Sequence, residues 1–355
     1  MTTIALQIHG LSVGYRVARA TRTVLNTIDA ALHTSEFACL LGPNGVGKST
    51  LLRTLARMQS PIAGQVDIDG HDIRRMNQTE LARRLSVVLT ERVDVGILPA
   101  YDLVGMGRYP YTGWGGRLSQ RDHEIIRWAI RVTGAESLAT RNVAELSDGE
   151  RQRVMIARAL AQEPSVMLLD EPTAFLDAPR RAELTGLLRQ LTRETGRAVL
   201  LSTHDVELAL RTADTIWLIT PDGQFIAGAP EDLVLRGVFE RAFPSANFAF
   251  DPMAGGFQVR HAHARRARIH GNGLVGLWTR RALERAGFVP IDEADSGAVV
   301  DLDVRCVQTS AGWCWQTVCD MRIHDHSSLA ELTRHLHRSA PADIKEGTSL
   351  AMQTE

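Results

Sequence analysis

The sequence predicts an α/β protein with a parallel sheet covered by helices on both faces, followed by a smaller α+β unit. Three observations carry this. Short, wholly apolar runs end at polar or turn residues, as strands buried on both faces do. Segments of helical length and spacing lie between them, and that alternation defines the class. The pattern then changes near Pro244, where Pro, Gly, Asn and Ser accumulate through Gly256.

In chain order, Phe37–Leu41 is an apolar run that meets a glycine-rich turn, and Leu51–Met58 continues as a helix. Leu85–Leu89, Val166–Leu169 and Val199–Ser202 repeat the strand pattern. Gln120–Thr133, Glu150–Gln162 and Pro179–Glu194 read as helices. Past the break, Leu274, Leu277, Trp278, Ala282, Leu283 and Ala286 form a helical stripe opposite Arg280, Arg281 and Arg285. Val300, Leu302, Val304 and Cys306 alternate with Asp301, Asp303 and Arg305, as on a half-buried strand. Thr309–Gly312 turns into a second strand, Trp313–Met321, and Ser328 with Glu331 resembles a capping box opening a last helix. The expected domains are 1–243, with a helical subdomain at about 92–165, an accessory unit at 256–338, and a frayed tail at 339–355.

Composition excludes several classes. Of 355 residues, 44% are hydrophobic and 23% charged, as in soluble globular proteins. The net charge of −1 gives no broad basic surface for nucleic acid. Four cysteines, with Cys39 far from the others, make no disulfide framework and suggest a reducing compartment. No apolar run approaches the ~20 residues that span a bilayer, and MTTIALQIHG lacks the features of a signal peptide. A transport role therefore implies separate membrane subunits.

Chemistry concentrates at two strand ends. Gly42, Pro43, Asn44, Gly45, Val46, Gly47, Lys48, Ser49 and Thr50 match G-x-x-x-x-G-K-[ST] after a strand and before a helix. Glycines let backbone N–H groups curl round a phosphate, and the helix adds its positive end. Lys48 is expected to reach the β- and γ-phosphates, and Ser49 to ligate Mg²⁺. The run Val166–Leu169 ends at Asp170 and Glu171. Carboxylates at the tip of a parallel strand face the ligand crevice. Asp170 can hold Mg²⁺, and Glu171 can polarise an attacking water.

From here the chain resembles the ATP-binding cassettes of ABC transporters. Leu146-Ser147-Asp148-Gly149-Glu150 resembles the signature loop, Ala174-Phe175-Leu176-Asp177 the D-loop, and Ser202-Thr203-His204-Asp205 the switch-histidine motif. Tyr15 resembles the aromatic that stacks on adenine. Order and spacing match over residues 1 to about 240; the remainder lies outside the resemblance. It implies an ATPase that forms a homodimer, head to tail. ATP on Lys48 and Ser49 of one copy meets Ser147 and Gly149 of the other, and His204 holds the γ-phosphate and orients Glu171. It also implies permease subunits, a substrate-binding protein in the assembled system, no nucleic acid, and a peripheral place on the cytoplasmic face of the cell membrane. Soluble ABC proteins of DNA repair or translation usually carry two cassettes or a long coiled coil, whereas this chain has one P-loop and no long heptad run.

Two departures stand out. The signature's second glycine is Asp148 and its glutamine is Glu150; Asp148 could cap the following helix but adds charge near a phosphate. The family's glutamine after the strand Leu85–Leu89 is missing from Thr90-Glu91-Arg92. Thr90 takes that position and offers a hydroxyl for Mg²⁺, with Glu91 the competitor. Tyr101–Pro110 resembles the subfamily that powers import of ferric siderophores, haem and cobalamin. Seven of the twelve histidines lie beyond residue 260. His261 with His263, and His324 with His326, would share strand faces, but no spacing matches a zinc pattern, and the expected reading is a His-rich surface.

Overall fold

The computed structural model describes residues 3–17, 20–89, 97–113, 115–259, 265–292, 299–310, 312–319 and 322–338. Thr90, Glu91, Arg92, His261, His263 and the tail 339–355 lie outside them. The chain divides into two compact units, residues 1–245 with 250–257, and 246–249 with 258–355.

In chain order the first unit runs β1 (Ile4–Val17), β2 (Ala20–His33), β3 (Phe37–Leu41), α1 (Lys48–Leu55), β4 (Ala63–Ile68), β5 (His71–Asp72), α2 (Gln78–Arg84) and β6 (Leu85–Val88). Next come α3 (Ala100–Gly105), α4 (Gln120–Val132), α5 (Asp148–Ala161), β7 (Val166–Asp170), α6 (Ala178–Thr195) and β8 (Ala198–Ser202). It continues with α7 (Val206–Thr212), β9 (Thr215–Ile219), β10 (Phe225–Gly228), α8 (Pro230–Leu235) and α9 (Val238–Ala242). A six-stranded sheet has the order β10-β9-β3-β8-β7-β6, parallel except for β10. Every residue of β3, β7 and β8 is buried, which is why these runs are unbroken in apolarity. The antiparallel sheet β2-β1-β4-β5 covers α1, with Leu51, Leu52 and Leu55 sharing its core.

The helical subdomain packs α3, α4 and α5 through Leu103, Val104, Ile126, Ile130, Val154 and Leu160. Arg108, 3% exposed, clamps it. Its guanidinium donates to Asp122 Oδ1 at 2.8 Å, Ala161 O at 2.7 Å and Glu163 Oε2 at 2.8 Å. Burial alone would raise the Asp122 pKa, but bonds from Ser119 and Arg108 hold it down at about 2.

The stretch Pro244–Gly256, whose composition reads as a linker or irregular crossing, contains β11 (Phe248–Asp251), which pairs with β12 (Gly256–Val259). Phe250 stacks on Phe239 at 4.9 Å and Phe257 meets Phe243 edge-on at 5.3 Å, so the aromatics, not the Pro and Gly between them, decide the structure.

The second unit is a five-stranded sheet of order β14-β13-β15-β16-β17 with two helices. Its elements are β13 (Arg265–His270), α10 (Gly273–Arg285), β14 (Phe288–Asp292), β15 (Leu302–Thr309), β16 (Gly312–Cys319), β17 (Arg322–His326) and α11 (Leu329–Arg338). Leu302 and Val304 are buried as the alternation predicts. The α10 stripe holds in its second half, where Ala282 and Leu283 are buried, and differs in its first: Leu274, Leu277 and Trp278 are 74%, 47% and 50% exposed, while Gly276 and Thr279 face inward. Small residues mark the packed face because Gly276 lies against Gly271 and Thr279 accepts Trp315 Nε1 at 2.7 Å. The last helix's cap is also shared: Glu331 N donates to Ser328 Oγ at 3.2 Å, but its carboxylate accepts from Ser327.

Candidate functional site

The turn between β3 and α1 is built by backbone that only glycine tolerates. Gly42 has φ 151°, and a Cβ there would lie 2.7 Å from Ile219 O. Gly47 has φ 114°, with a Cβ 2.5 Å from Val24 Cγ1. The turn lines a cavity of about 500 Å³ with Tyr15, Arg22, Glu171, His204 and the turn Pro221–Gly223. Asn44 through Thr50 form its floor.

Inside it, Lys48 is buried, and its Nζ donates to Gly42 O at 2.8 Å and Pro43 O at 3.1 Å. Burial pulls the ammonium below its ordinary pKa, and Glu171 and Asp170 pull it back up. Asp170 is buried at the tip of β7, where its Oδ1 accepts from Ser202 Oγ at 2.7 Å and Ser49 Oγ at 3.3 Å. Ser202 also accepts the Glu171 N–H at 2.9 Å, so one hydroxyl positions both acids. Glu171 sits at φ 47°, in the left-handed region that non-glycine residues seldom adopt. That bond and the contact of its Oε1 with His204 Nε2 hold it there.

Hard oxygens at Ser49 and Asp170, with a carboxylate buried among hydroxyls, form a donor set that fits Mg²⁺. Thr90 and Glu91 fall outside the described residues, so their competition for the metal is left where the sequence put it. Tyr15 lines the cavity, and its hydroxyl lies 2.8 Å from Thr50 Oγ1.

The signature residues do not join this cavity. Ser147, Gly149 and Glu150 line a separate one of about 470 Å³ with Arg153, Leu176 and Arg180. Here the expectation for Asp148 changes. Ser147 is the N-cap of α5 and Asp148 its first helical residue, since the serine hydroxyl reaches the third residue of the turn and Asp148 starts inside it. Glu150 closes a capping box, accepting Ser147 N and Oγ at 2.8 Å each, and its other oxygen pairs with Arg141 at 3.0 Å. Those bonds from Ser147 and Arg141 hold its carboxyl below the usual range. Asp177 caps α6 by accepting Arg180 N at 3.0 Å.

Sequence reasoning missed Arg22, Val24 and Pro221–Gly223 in the cavity wall. Arg22 is directly opposite Tyr15 in the β1–β2 hairpin. A predicted hairpin register could have found it. Within Tyr101–Pro110, Arg108 serves packing, while Tyr109 is 58% exposed.

A glycine turn feeding a helix, with buried Asp170 and the Glu171–His204 pair across the same cavity, defines a P-loop ATPase. Residues 25–174 match the ABC transporter family, and residues 264–337 match the iron ABC transporter C-terminal domain. An uncharacterised ABC transporter ATP-binding protein of Methanocaldococcus jannaschii is 42% identical over 74% of this chain and 90% of its own length. The ferric enterobactin transport ATP-binding protein of Escherichia coli is 37% identical over 66% and 86%. The achromobactin transport ATP-binding protein of Dickeya dadantii is 38% identical over 66% and 85%. Among solved structures, an inward-facing metal-chelate type ABC transporter aligns with TM-score 0.59 at 25% identity, covering 68% of this chain and 89% of that one. A dimeric bacterial ABC transporter cassette aligns at 0.54 and 26%, covering 63% and 98%. The chain belongs to the ATP-binding proteins of ABC transporters and is an ATPase. No helix among the described residues is long and apolar enough to cross a membrane.

Proposed function

We propose that this chain hydrolyses ATP to power import of a ferric siderophore, with haem and cobalamin as the other substrates of the resembling subfamily. The observation that carries the substrate class is the match of residues 264–337 to an iron transporter domain, in a chain whose relatives include siderophore transport ATPases. It works as a homodimer, docked on permease subunits at the cytoplasmic face of the membrane, with a substrate-binding protein outside.

In each site Tyr15 stacks on adenine while the amides of Gly42–Thr50 cradle the phosphates. Lys48 exchanges its two carbonyl partners for phosphate oxygens. Ser49 and Asp170 would hold Mg²⁺, which would supply positive charge to offset that of the phosphates. Glu171 accepts a proton from the attacking water, and His204 keeps that carboxylate aimed. Ser147 and Gly149 of a second copy close over the γ-phosphate, with the α5 N-terminus behind them.

The test is uptake by cells carrying the transporter with Glu171→Gln. Loss of radio-iron siderophore uptake, with haem and cobalamin uptake unchanged, is expected. Loss of haem or cobalamin uptake with siderophore uptake intact would overturn the substrate class.

A further inference from the structure

We infer that Arg180 is a binding residue for the nucleotide that a second copy presents to the signature cavity, supplying a cation where Asp148 and Glu150 add two acids. The inference rests on the head-to-tail pairing proposed above.

Arg180 is the third residue of α6, anchored by the bond from its N–H to Asp177. A helical side chain covers the surface N-terminal to its own Cα, which here is the signature turn. A Cβ built on Gly149 would stand 3.5 Å from Arg180 Nη1 and 3.6 Å from its Cδ. The guanidinium therefore lies in ordinary contact distance of the Gly149 position, and both line the same cavity.

Arg131 and Arg153 also line the cavity, and three neighbouring arginines are paired with acids. Arg153 pairs with Glu183 and Arg181 with Asp205, each at 3.2 Å, and Arg141 holds Glu150. Arg180 is exposed and, among the described residues, carries no such acid. Two acids in the first turn suit the α5 dipole but oppose a triphosphate. Arg141 offsets Glu150 from outside the cavity. Arg180 adds a cation within it, with a planar fork suited to phosphate oxygens.

The experiment uses the full chain with Glu171→Gln, ATP and Mg²⁺, and reads the dimer dissociation constant by sedimentation. Adding Arg180→Gln is expected to weaken the dimer about tenfold, and Arg180→Lys to recover part of the loss. ATP affinity of the dilute monomer should stay within about twofold, because the P-loop is untouched. The difference between the parent chain and its Arg180→Gln variant should shrink from about 50 to about 500 mM salt. An Arg180→Gln dimer as tight as its parent would overturn the inference. So would a loss that lysine does not recover and that tracks a lowered melting temperature. If Glu171→Gln alone forms no ATP-dependent dimer, the pairing itself fails and the inference with it.

Discussion

The nucleotide cavity and the signature cavity differ in how much of their order they supply themselves. Lys48, Asp170 and Ser202 are 6%, 5% and 0% exposed, and each is hydrogen-bonded within its own copy. The signature cavity has an exposed Ser147 and an exposed Arg180, and its capping box is shared only with Arg141. The first is a preorganised site; the second, on the head-to-tail pairing proposed above, is half of one. On that proposal nucleotide binding needs one copy and hydrolysis needs two.

Substitutions can break or sharpen the contrast. The largest effect is expected from Glu171→Gln, which should slow ATP turnover by about 10²–10⁴-fold while sparing ATP binding; near-normal turnover would remove Glu171 as the base. Lys48→Ala should weaken ATP affinity by about 10–100-fold, as loss of a charged hydrogen bond would, measured by equilibrium titration with a fluorescent ATP analogue. Ser202→Ala tests the order of the nucleotide cavity. It leaves the Glu171 N–H without its partner and removes a bond to Asp170, so denaturant unfolding should show a loss of about 1–3 kcal/mol. Ser147→Ala removes the N-cap hydroxyl of α5, so the unfolding curve should lose about 0.5–2 kcal/mol, and dimerisation should weaken.

Smaller effects follow pH. Asp122 is held at about 2, below its ordinary 3.8, so its contribution is full above pH ~4. That contribution drains away as pH falls toward 2. Acid unfolding of an Asp122→Asn chain should lack this window. In the second unit, burial, His335 and His324 depress the His326 pKa, against the opposite pull of Glu331 and Asp325. A depressed histidine stabilises the fold above its ordinary 6.5 and loses that stability as pH falls below it. Thermal scans from pH 7.5 to 5.5 should show a falling midpoint that His326→Gln flattens.

The cassette is legible in the sequence because its signals are local. Buried parallel strands are apolar throughout, and the P-loop's glycines sit at fixed offsets that only one backbone path satisfies. The long strands β1 and β2 are not legible, because exposed polar residues such as His9, Arg22 and Asn26 interrupt their apolar pattern. The β11–β12 hairpin is hidden by the Pro and Gly around its aromatics. On the first half of α10 large apolar residues mislead, since tight packing selects Gly276 and Thr279 instead. Ser202, the hydroxyl that positions both acids, belongs to a recognised motif, yet its bond to Asp170 spans 32 residues and only the parallel register of β7 on β8 reveals it.

In the proposed head-to-tail dimer the preorganised nucleotide cavity of one copy is completed by the signature cavity of the other. Sedimentation of the Glu171→Gln chain tests it most directly, with ATP, with ADP, and with Ser147→Arg added. The account predicts a dimer with ATP, a monomer with ADP, and a monomer with ATP once Ser147→Arg blocks the signature cavity while ATP still binds. A chain that stays monomeric at saturating ATP, or a dimer indifferent to Ser147→Arg, would contradict it.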